Sequence, residues 1–499
     1  GLATERLIEK MKKVKGTKMP RDEFNKLCLE TLDKELRPQY IQDWKNIGMS
    51  CDWDIFYTTI DNHSQKISQK AFLDLVKKGR AKKKFAPVMV CPHCQTAIAQ
   101  VELEDLERES VLNHIKVQVE NGETVEFATT RPELMMACIA ISVHPDDERY
   151  KHLVGKTATI PASNAKVPIV ADDMTKMEFG TGVVYWCPFG DIHDIEFVVK
   201  HRELEVKHIM NPDGKLNEHA GKYAGLTSKE AREQVLKDWE QAGALVKQEK
   251  LNQVVNVHER CGTPIEFVSL NQWFINYLDL KGEFLQRGKQ LNWFPEHMRN
   301  RYDNWVDGLK WDWCISRQRF SGVPFPVWYN KETKEPIYAK EEQLPVDPLK
   351  DLPEGYTKDQ VEPEQDVMDT WATSSLTPEI STSLFKDHPV YEKLLPMSLR
   401  PQAHDIITFW LFNTVVRSHL HRDQLPWNDV MISGWALDPH GKKMSKSKGN
   451  VVEPQAMIEK YSADALRFWA AGSKLGDDLP FQDKDLLTGQ KSATKLWNA

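Results

Sequence analysis

The chain has 499 residues, 40% hydrophobic and 28% charged, with 66 Lys and Arg against 73 Asp and Glu for a net charge of −7. At about 100–200 residues per domain, the length asks for roughly three or four domains with real cores. The composition excludes disordered and collagen-like chains, and the charge excludes a uniformly basic nucleic-acid binder while leaving room for local basic patches. In chain order, residues 1–85 read as charged amphipathic helices, for example over 2–14 and 66–78. The apolar run 85–90 leads into Cys91-Pro92-His93-Cys94. From about 111 to 253 the texture is strand-rich: 114–119 and 125–128 alternate like half-buried strands, with Gly122 as the hairpin turn between them. Gly180-Thr181-Gly182 precedes the apolar run 183–187, and 228–242 predicts a helix. Residues 344–363, dense in Pro, Asp and Glu, read as a surface excursion. An apolar helical block covers 405–419, and helix returns after Glu453. The longest mostly apolar stretch, 406–416, is broken by Thr408, Asn413 and Thr414 and falls short of the about 18 residues of a membrane span.

No internal repeat or low-complexity tract interrupts this pattern, which is that of a mixed α/β protein with a β-rich module inserted into it. The segments flanking the module read as one domain. Eight cysteines are too few for a disulfide scaffold. Cys28, Cys51, Cys138, Cys187 and Cys314 are scattered, as buried cytosolic cysteines are, and the expected location is cytoplasmic. The first twenty residues carry no signal-peptide core, and Gly1 in place of an initiator Met reads as a cut end.

Four clusters carry chemistry. Residues 441–450 read GKKMSKSKGN; small Ser and Gly residues let backbone approach an anion, while Lys443 and Lys446 neutralise charge building on a phosphoryl leaving group. A generic lysine run would instead be a solvated loop. Cys91 and Cys94, with His258 and Cys261, offer CxxC and HxxC spacings that suit a closed tetrahedral zinc site, with His93 competing with His258 for the fourth position. Thr129-Thr130-Arg131-Pro132-Glu133, Gly180-Thr181-Gly182 and Asp191-Ile192-His193-Asp194 supply hydroxyls, a guanidinium and carboxylates within the β-rich module. Those groups can hold an aminoacyl ester, position a water and anchor an ammonium. The last cluster is aromatic: Asp369-Thr370-Trp371 and Asp405-Ile406-Ile407-Thr408-Phe409-Trp410, a pattern that serves equally as core or as pocket.

Lys443-Met444-Ser445-Lys446-Ser447 matches the KMSKS signature of class I aminoacyl-tRNA synthetases letter for letter, and the TTRPE and Gly-Thr-Gly elements resemble the hydrolytic editing domain of the valyl, isoleucyl and leucyl members. The segment 311–318, with Trp313-Cys314-Ile315-Ser316-Arg317-Gln318, resembles the family's WCISRQ segment. Essentially the whole chain resembles the valyl branch in family order, closest in texture to its archaeal type. The close 489–499, the Asp191-x-x-Asp194 spacing and the segment 367–375 favour that branch over the isoleucyl one.

The resemblance implies an α/β fold: a class I nucleotide-binding, Rossmann-like domain, incomplete at its start, with an inserted β-rich editing domain and a small zinc-binding element. The expected division is 1–85 for the first part of the catalytic domain and 86–110 for the zinc-binding connective segment. Residues 111–255 would form the editing domain, and 256–345 the return of the zinc segment and catalytic domain. The second catalytic half would be 346–440, and 441–499 the KMSKS loop and helical stem-contact region with the start of the anticodon-domain junction. The implied activity is ATP- and Mg²⁺-dependent charging of tRNA(Val) with L-valine through valyl-adenylate, by a monomer that also hydrolyses Thr-tRNA(Val). A hydrophobic pocket cannot strongly reject an isostere that merely adds a hydroxyl, so a second, hydrolytic sieve is needed.

By the same resemblance Lys443, Met444, Ser445, Lys446 and Ser447 meet the ATP phosphates, and Trp371, Asp405, Ile406 and Trp410 line the amino-acid pocket. Thr129, Thr130, Arg131, Asp191 and Asp194 serve editing, with Asp194 on the substrate ammonium and Asp191 on the hydroxyl. Zn²⁺ at Cys91, Cys94, His258 and Cys261 is structural. Two departures stand out. Tyr185 occupies a position where many relatives carry lysine, and no HIGH tetrapeptide is present. A fragment lacking the HIGH segment and the anticodon-binding domain, defective in valine activation, is therefore expected. Competing readings are an isoleucyl enzyme, a stand-alone trans-editing deacylase and a zinc-dependent tRNA-binding fragment.

Overall fold

The computed structural model describes residues 2–178, 180–444 and 449–499. The chain divides into two compact units: Lys83–Trp273, inserted in sequence, and Gly1–Lys82 with Phe274–Ala499.

The inserted unit is built on one long strand, Leu103–Val119. It pairs antiparallel with Thr124–Thr129, placing Ile115 opposite Phe127, and with Thr157–Thr159 at its end. Along its other edge runs Leu245–His258, from Leu103 opposite His258 to Ile115 opposite Leu245. Ile115, Val117 and Val119 are buried while Lys116 and Gln118 face solvent, which is the period-two pattern of a sheet with one covered face. Gly122 takes φ 88 in the hairpin, a left-handed conformation that suits glycine. The sheet continues through Lys166–Ala171 and Ala140–Val143 to Val183–Trp186, where Ile141 lies opposite Tyr185. Helix Ser228–Gln241 begins at a Thr227–Glu230 capping box and buries Ala231, Val235 and Trp239, spaced one turn apart.

The other unit contains a parallel sheet in the order Asn292–Phe294, Trp427–Ser433, Met397–Ala403. The last two are neighbours joined by a helical crossover, as parallel strands require. Tyr302, Phe284 and Phe412 are buried aromatic neighbours, with the Phe412 ring 5.8 Å from Phe284 and 5.9 Å from Tyr302.

Several elements differ from the sequence reading. The first helix, Leu2–Lys12, stops short of residue 14 because Lys13 is left-handed, φ 55. The helix predicted over 66–78 is Asn62–Lys77, started by Asp61, whose side chain accepts from the Ser64 N–H. The block predicted over 405–419 is a 3₁₀ turn His404–Ile406, a π turn Ile407–Leu411 and a helix Phe412–Arg422. The surface excursion is anchored at its start, since buried Gln69 donates to the Val346 carbonyl at 2.7 Å and accepts from its N–H at 2.9 Å. Among the described residues, no helix is long and apolar enough to cross a membrane.

Candidate functional site

Two of the predicted clusters converge at the carboxyl ends of parallel strands, where open α/β sheets bind ligands. Met397–Ala403 runs into His404-Asp405-Ile406, and Trp427–Ser433 runs into Gly434 and the lysine-rich segment. Trp410, buried in the π turn, donates its indole N–H to the Ser374 carbonyl at 2.7 Å, and Trp371 lies 5.1 Å from Phe409. The two aromatic segments therefore form one wall, with Ile406 half-buried and Asp405 exposed beside it. The Arg400 guanidinium stacks 3.3 Å over the Trp410 ring, and burial lowers its pKa to about 10.

Asp369 holds this wall. It caps helix Thr370–Ser374 by accepting from the Trp371 N–H at 3.1 Å. Its other oxygen accepts from Arg317 at 3.0 Å and from the Trp313 indole at 3.2 Å, which ties the segment 311–318 to this wall. Sequence reasoning named both segments but not this buried pairing. Of the KMSKS pentapeptide, Lys443 and Met444 are described; Ser445, Lys446 and Ser447 lie outside the described residues.

In the inserted unit, Thr129 ends its strand buried. Its hydroxyl accepts from the Arg131 N–H at 2.9 Å and bonds the Tyr185 hydroxyl, and Thr130 sits half-buried beside it. Arg131 donates to Glu133 at 3.1 Å, to Glu266 at 2.6 Å and to the Gly190 carbonyl at 3.3 Å. Glu133, fully buried, also takes a two-pronged contact from Arg232 at 2.9 and 2.6 Å. Burial raises the Glu133 carboxyl, but the hydrogen bonds and charges of the arginines outweigh it and hold the pKa below the ordinary range. Glu266 and Arg232 are absent from the predicted cluster, Glu133 enters it only as the end of the TTRPE element without a role of its own, and Arg131 is engaged by carboxylates rather than presented free.

Asp191 and Asp194 form a reciprocal cap on helix Ile192–Lys200. Asp191 accepts from the amides of His193 and Asp194 at 2.7 and 3.0 Å, and Asp194 accepts from the Asp191 N–H at 3.0 Å. A Cβ on Gly190 would meet the Asp194 carboxylate at 2.3 Å, so the absence of a side chain there lets that carboxylate fold back. Burial, with the charge of Asp191, pushes the Asp194 carboxyl well above its ordinary value. Gly182 instead lies against the Asp147–Arg149 pair. Next to Glu266 a small, partly open cleft is lined by Leu134, Phe189, His208, Met210, Glu266 and Ser269.

Cys91, Cys94, His258 and Cys261 bring four ligand atoms within 4.8 Å of one another. The strand register that sets Leu103 opposite His258 returns the distant half of the cluster. Cys91 and Cys94 lie 3.5 and 3.8 Å from the Cys261 sulfur. For Zn–S bonds of about 2.3 Å, a tetrahedron has S···S edges near ~3.8 Å, so the donor set fits that ion. His258 is fully buried, and among the described residues its Nε2 has no hydrogen-bond partner. Cys94 is held well below the ordinary thiol range by hydrogen bonding from Cys91, whose own pKa is correspondingly pushed up.

A family model described as tRNA synthetases class I (I, L, M and V) matches residues 1–482. The "Valine--tRNA ligase" of Rickettsia prowazekii (strain Madrid E) is 46% identical over 508 residues, 100% of this chain and 62% of the relative. That of Thermoplasma acidophilum is 46% identical over 505 residues, covering 100% and 63%. The chain thus spans less than two thirds of the length of these relatives. A solved ternary complex of Agrobacterium radiobacter K84 agnB2 LeuRS with tRNA and LeuAMS aligns with TM-score 0.47 and 17% identity, over 96% of this chain and 66% of that one.

Proposed function

We propose, from the premise that this chain belongs to the class I tRNA synthetases of the I, L, M and V group, that it acts as a valine–tRNA ligase with a hydrolytic editing site. The observation that carries the reading is 46% identity along the whole chain to relatives named valine–tRNA ligase. The reaction is ATP- and Mg²⁺-dependent formation of valyl-adenylate, followed by transfer to tRNA(Val). Trp371, Ile406 and Trp410 select the aliphatic side chain of valine, with Asp405 at the pocket's exposed edge. Lys443 and Lys446 neutralise the ATP phosphates as pyrophosphate leaves, within the segment Lys443-Met444-Ser445-Lys446-Ser447.

Editing of Thr-tRNA(Val) takes place beside Thr129 and Thr130. Asp194 receives the substrate ammonium and Asp191 its hydroxyl, while Arg131 holds the turn through Gly190 and Glu266. Tyr185 bonds the Thr129 hydroxyl beside this site and, in place of a lysine, brings no ammonium to it. Zn²⁺ held by Cys91, Cys94, His258 and Cys261 would cross-link the two ends of the inserted unit. Its closed donor set leaves it a structural role.

The test is deacylation of Thr-tRNA(Val) and Val-tRNA(Ile) by this chain and by its Asp194→Ala variant. Loss of threonine alone, abolished by the substitution, is expected. Preference for Val-tRNA(Ile) moves the assignment to isoleucine, and activity that survives the substitution removes Asp194 from the site.

A further inference from the structure

Trp435 lies between the carboxyl end of one parallel strand and the first lysine of the KMSKS segment, and its position is fixed by backbone contacts. Gly434 precedes it, and a Cβ there would fall 2.1 Å from the Asp477 carbonyl oxygen, so only glycine lets this stretch press onto its neighbour. The Trp435 N–H then donates to Asp478 Oδ1 at 2.8 Å, and the Leu479 N–H donates to the Trp435 carbonyl at 2.8 Å. His404, 6% exposed, shares the same Asp478 oxygen through Nε2 at 3.0 Å, and its ring centre lies 4.7 Å from the indole. The indole is therefore anchored by its own backbone and by a buried imidazole.

The same ring carries the Lys443 ammonium, 4.2 Å from its centre. The Lys443 backbone is fixed as well. Asp438, 4% exposed, accepts from the amides of His440 and Lys442 at 2.9 and 2.8 Å and from the Asn450 side chain at 2.8 Å. Asn450 also donates to the Lys443 carbonyl at 3.2 Å. With the main chain held, the lysine side chain alone can choose between the aromatic face and an anion.

We infer that Trp435 is a positioning residue: its indole seats the Lys443 ammonium and competes with a polyphosphate for it. Lys443 is exposed, so this cation–π contact favours the seated side chain by only about two- to fivefold. A charge-assisted contact to phosphate is stronger and displaces it. The seat prevents the ammonium from sampling all of solvent while leaving it free to transfer. The inference rests on the reading that Lys443 meets phosphate, but the seat itself does not.

The test uses the full chain labelled with 5-fluorotryptophan, its Trp435 ¹⁹F resonance assigned through Trp435→Phe. Lys443→Gln is expected to move that resonance. Inorganic tripolyphosphate, titrated against KCl of equal ionic strength, is expected to move the wild-type resonance toward the Lys443→Gln position and to leave the variant unchanged. An identical Trp435 resonance in wild type and Lys443→Gln overturns the seat. A resonance that responds to Lys443→Gln but not to tripolyphosphate overturns the competition and, with it, the phosphate role of Lys443, while the seat stands.

Discussion

Arg131 donates to Glu266 at 2.6 Å across 135 positions of sequence, fastening the turn after Thr129 to a distant strand of the inserted unit. Glu133, fully buried between the half-buried Arg131 and Arg232, completes a network of two arginines and two carboxylates. Removing one member of such a network costs more than its net worth, because the remaining charge stays buried without compensation. Glu133→Gln leaves two guanidiniums facing each other and should destabilise the inserted unit by about 3–5 kcal/mol. Glu266→Gln, which leaves Arg131 its contact to Glu133, should cost less, about 1–3 kcal/mol. Urea denaturation followed by amide exchange over 124–133 ranks the two; the reverse order would remove Glu133 from the centre of the network.

Asp194 sits where stability and function oppose each other. Its folded pKa is raised by burial and by Asp191. The folded carboxyl therefore keeps its proton at a pH where the unfolded one has lost it. The associated stability is present below the ordinary carboxylate pKa and is lost as pH rises through the folded value. Asp194→Asn, which cannot ionise, should match the wild type in acid and become the more stable of the two as pH rises. The same variant should lose deacylation of Thr-tRNA(Val). Melting curves across pH, beside deacylation rates, check both, and a variant that melts lower than wild type at neutral pH contradicts the assignment.

Parts of this architecture are legible in the sequence because local physics repeats there. Helix Ser228–Gln241 announces itself through Thr227, Glu230 and its buried stripe, and the hairpin around Gly122 through strict alternation. The first half of Leu103–Val119 and its partner Leu245–His258 are not legible. They form a ribbon with little burial on either face, so no periodicity marks them. The Asp191-x-x-Asp194 spacing suggested a substrate site and equally spells a helix cap, and the structure shows that cap. Glu266 had no signature at all, since its importance comes from a partner far away in sequence. The choice between His93 and His258 was open for the same reason: spacing is local, whereas the closure of the cluster depends on strand register.

That closure gives a direct test of the metal centre. His258→Asn should release the ion or prevent its uptake, whereas His93→Asn should retain one zinc per chain, because His93 lies outside the cluster of four ligand atoms. Chelation should also loosen the small core of Met89, Ile98 and Ile265 packed around Cys91. Zinc released to a colorimetric chelator, together with amide exchange at Thr96 and Ala97, reads both effects. Release from His93→Asn would exchange the two histidines.

The last prediction concerns acid sensitivity in the other unit. His421 contacts Asp74 at 2.6 Å through Nδ1, with Arg417 and Lys78 also acting on the ring. Burial, helped by the Arg417 charge, lowers its pKa from the ordinary 6.5 to about 4, so the imidazole stays neutral and donates to Asp74. Asp74 in turn remains ionised down to about 2, chiefly through that hydrogen bond. Between pH 6.5 and about 4 the unfolded chain binds a proton at His421 that the folded chain refuses, so stability falls with falling pH across this window. By pH 5 the loss should amount to about 2 kcal/mol. His421→Asn retains an N–H for Asp74 but cannot titrate, and should flatten the dependence between pH 6.5 and 4.5. Amide exchange along helix Phe412–Arg422 measures this unit separately from the inserted one. A wild-type profile as flat as the variant's would show that the ring is protonated in the folded chain.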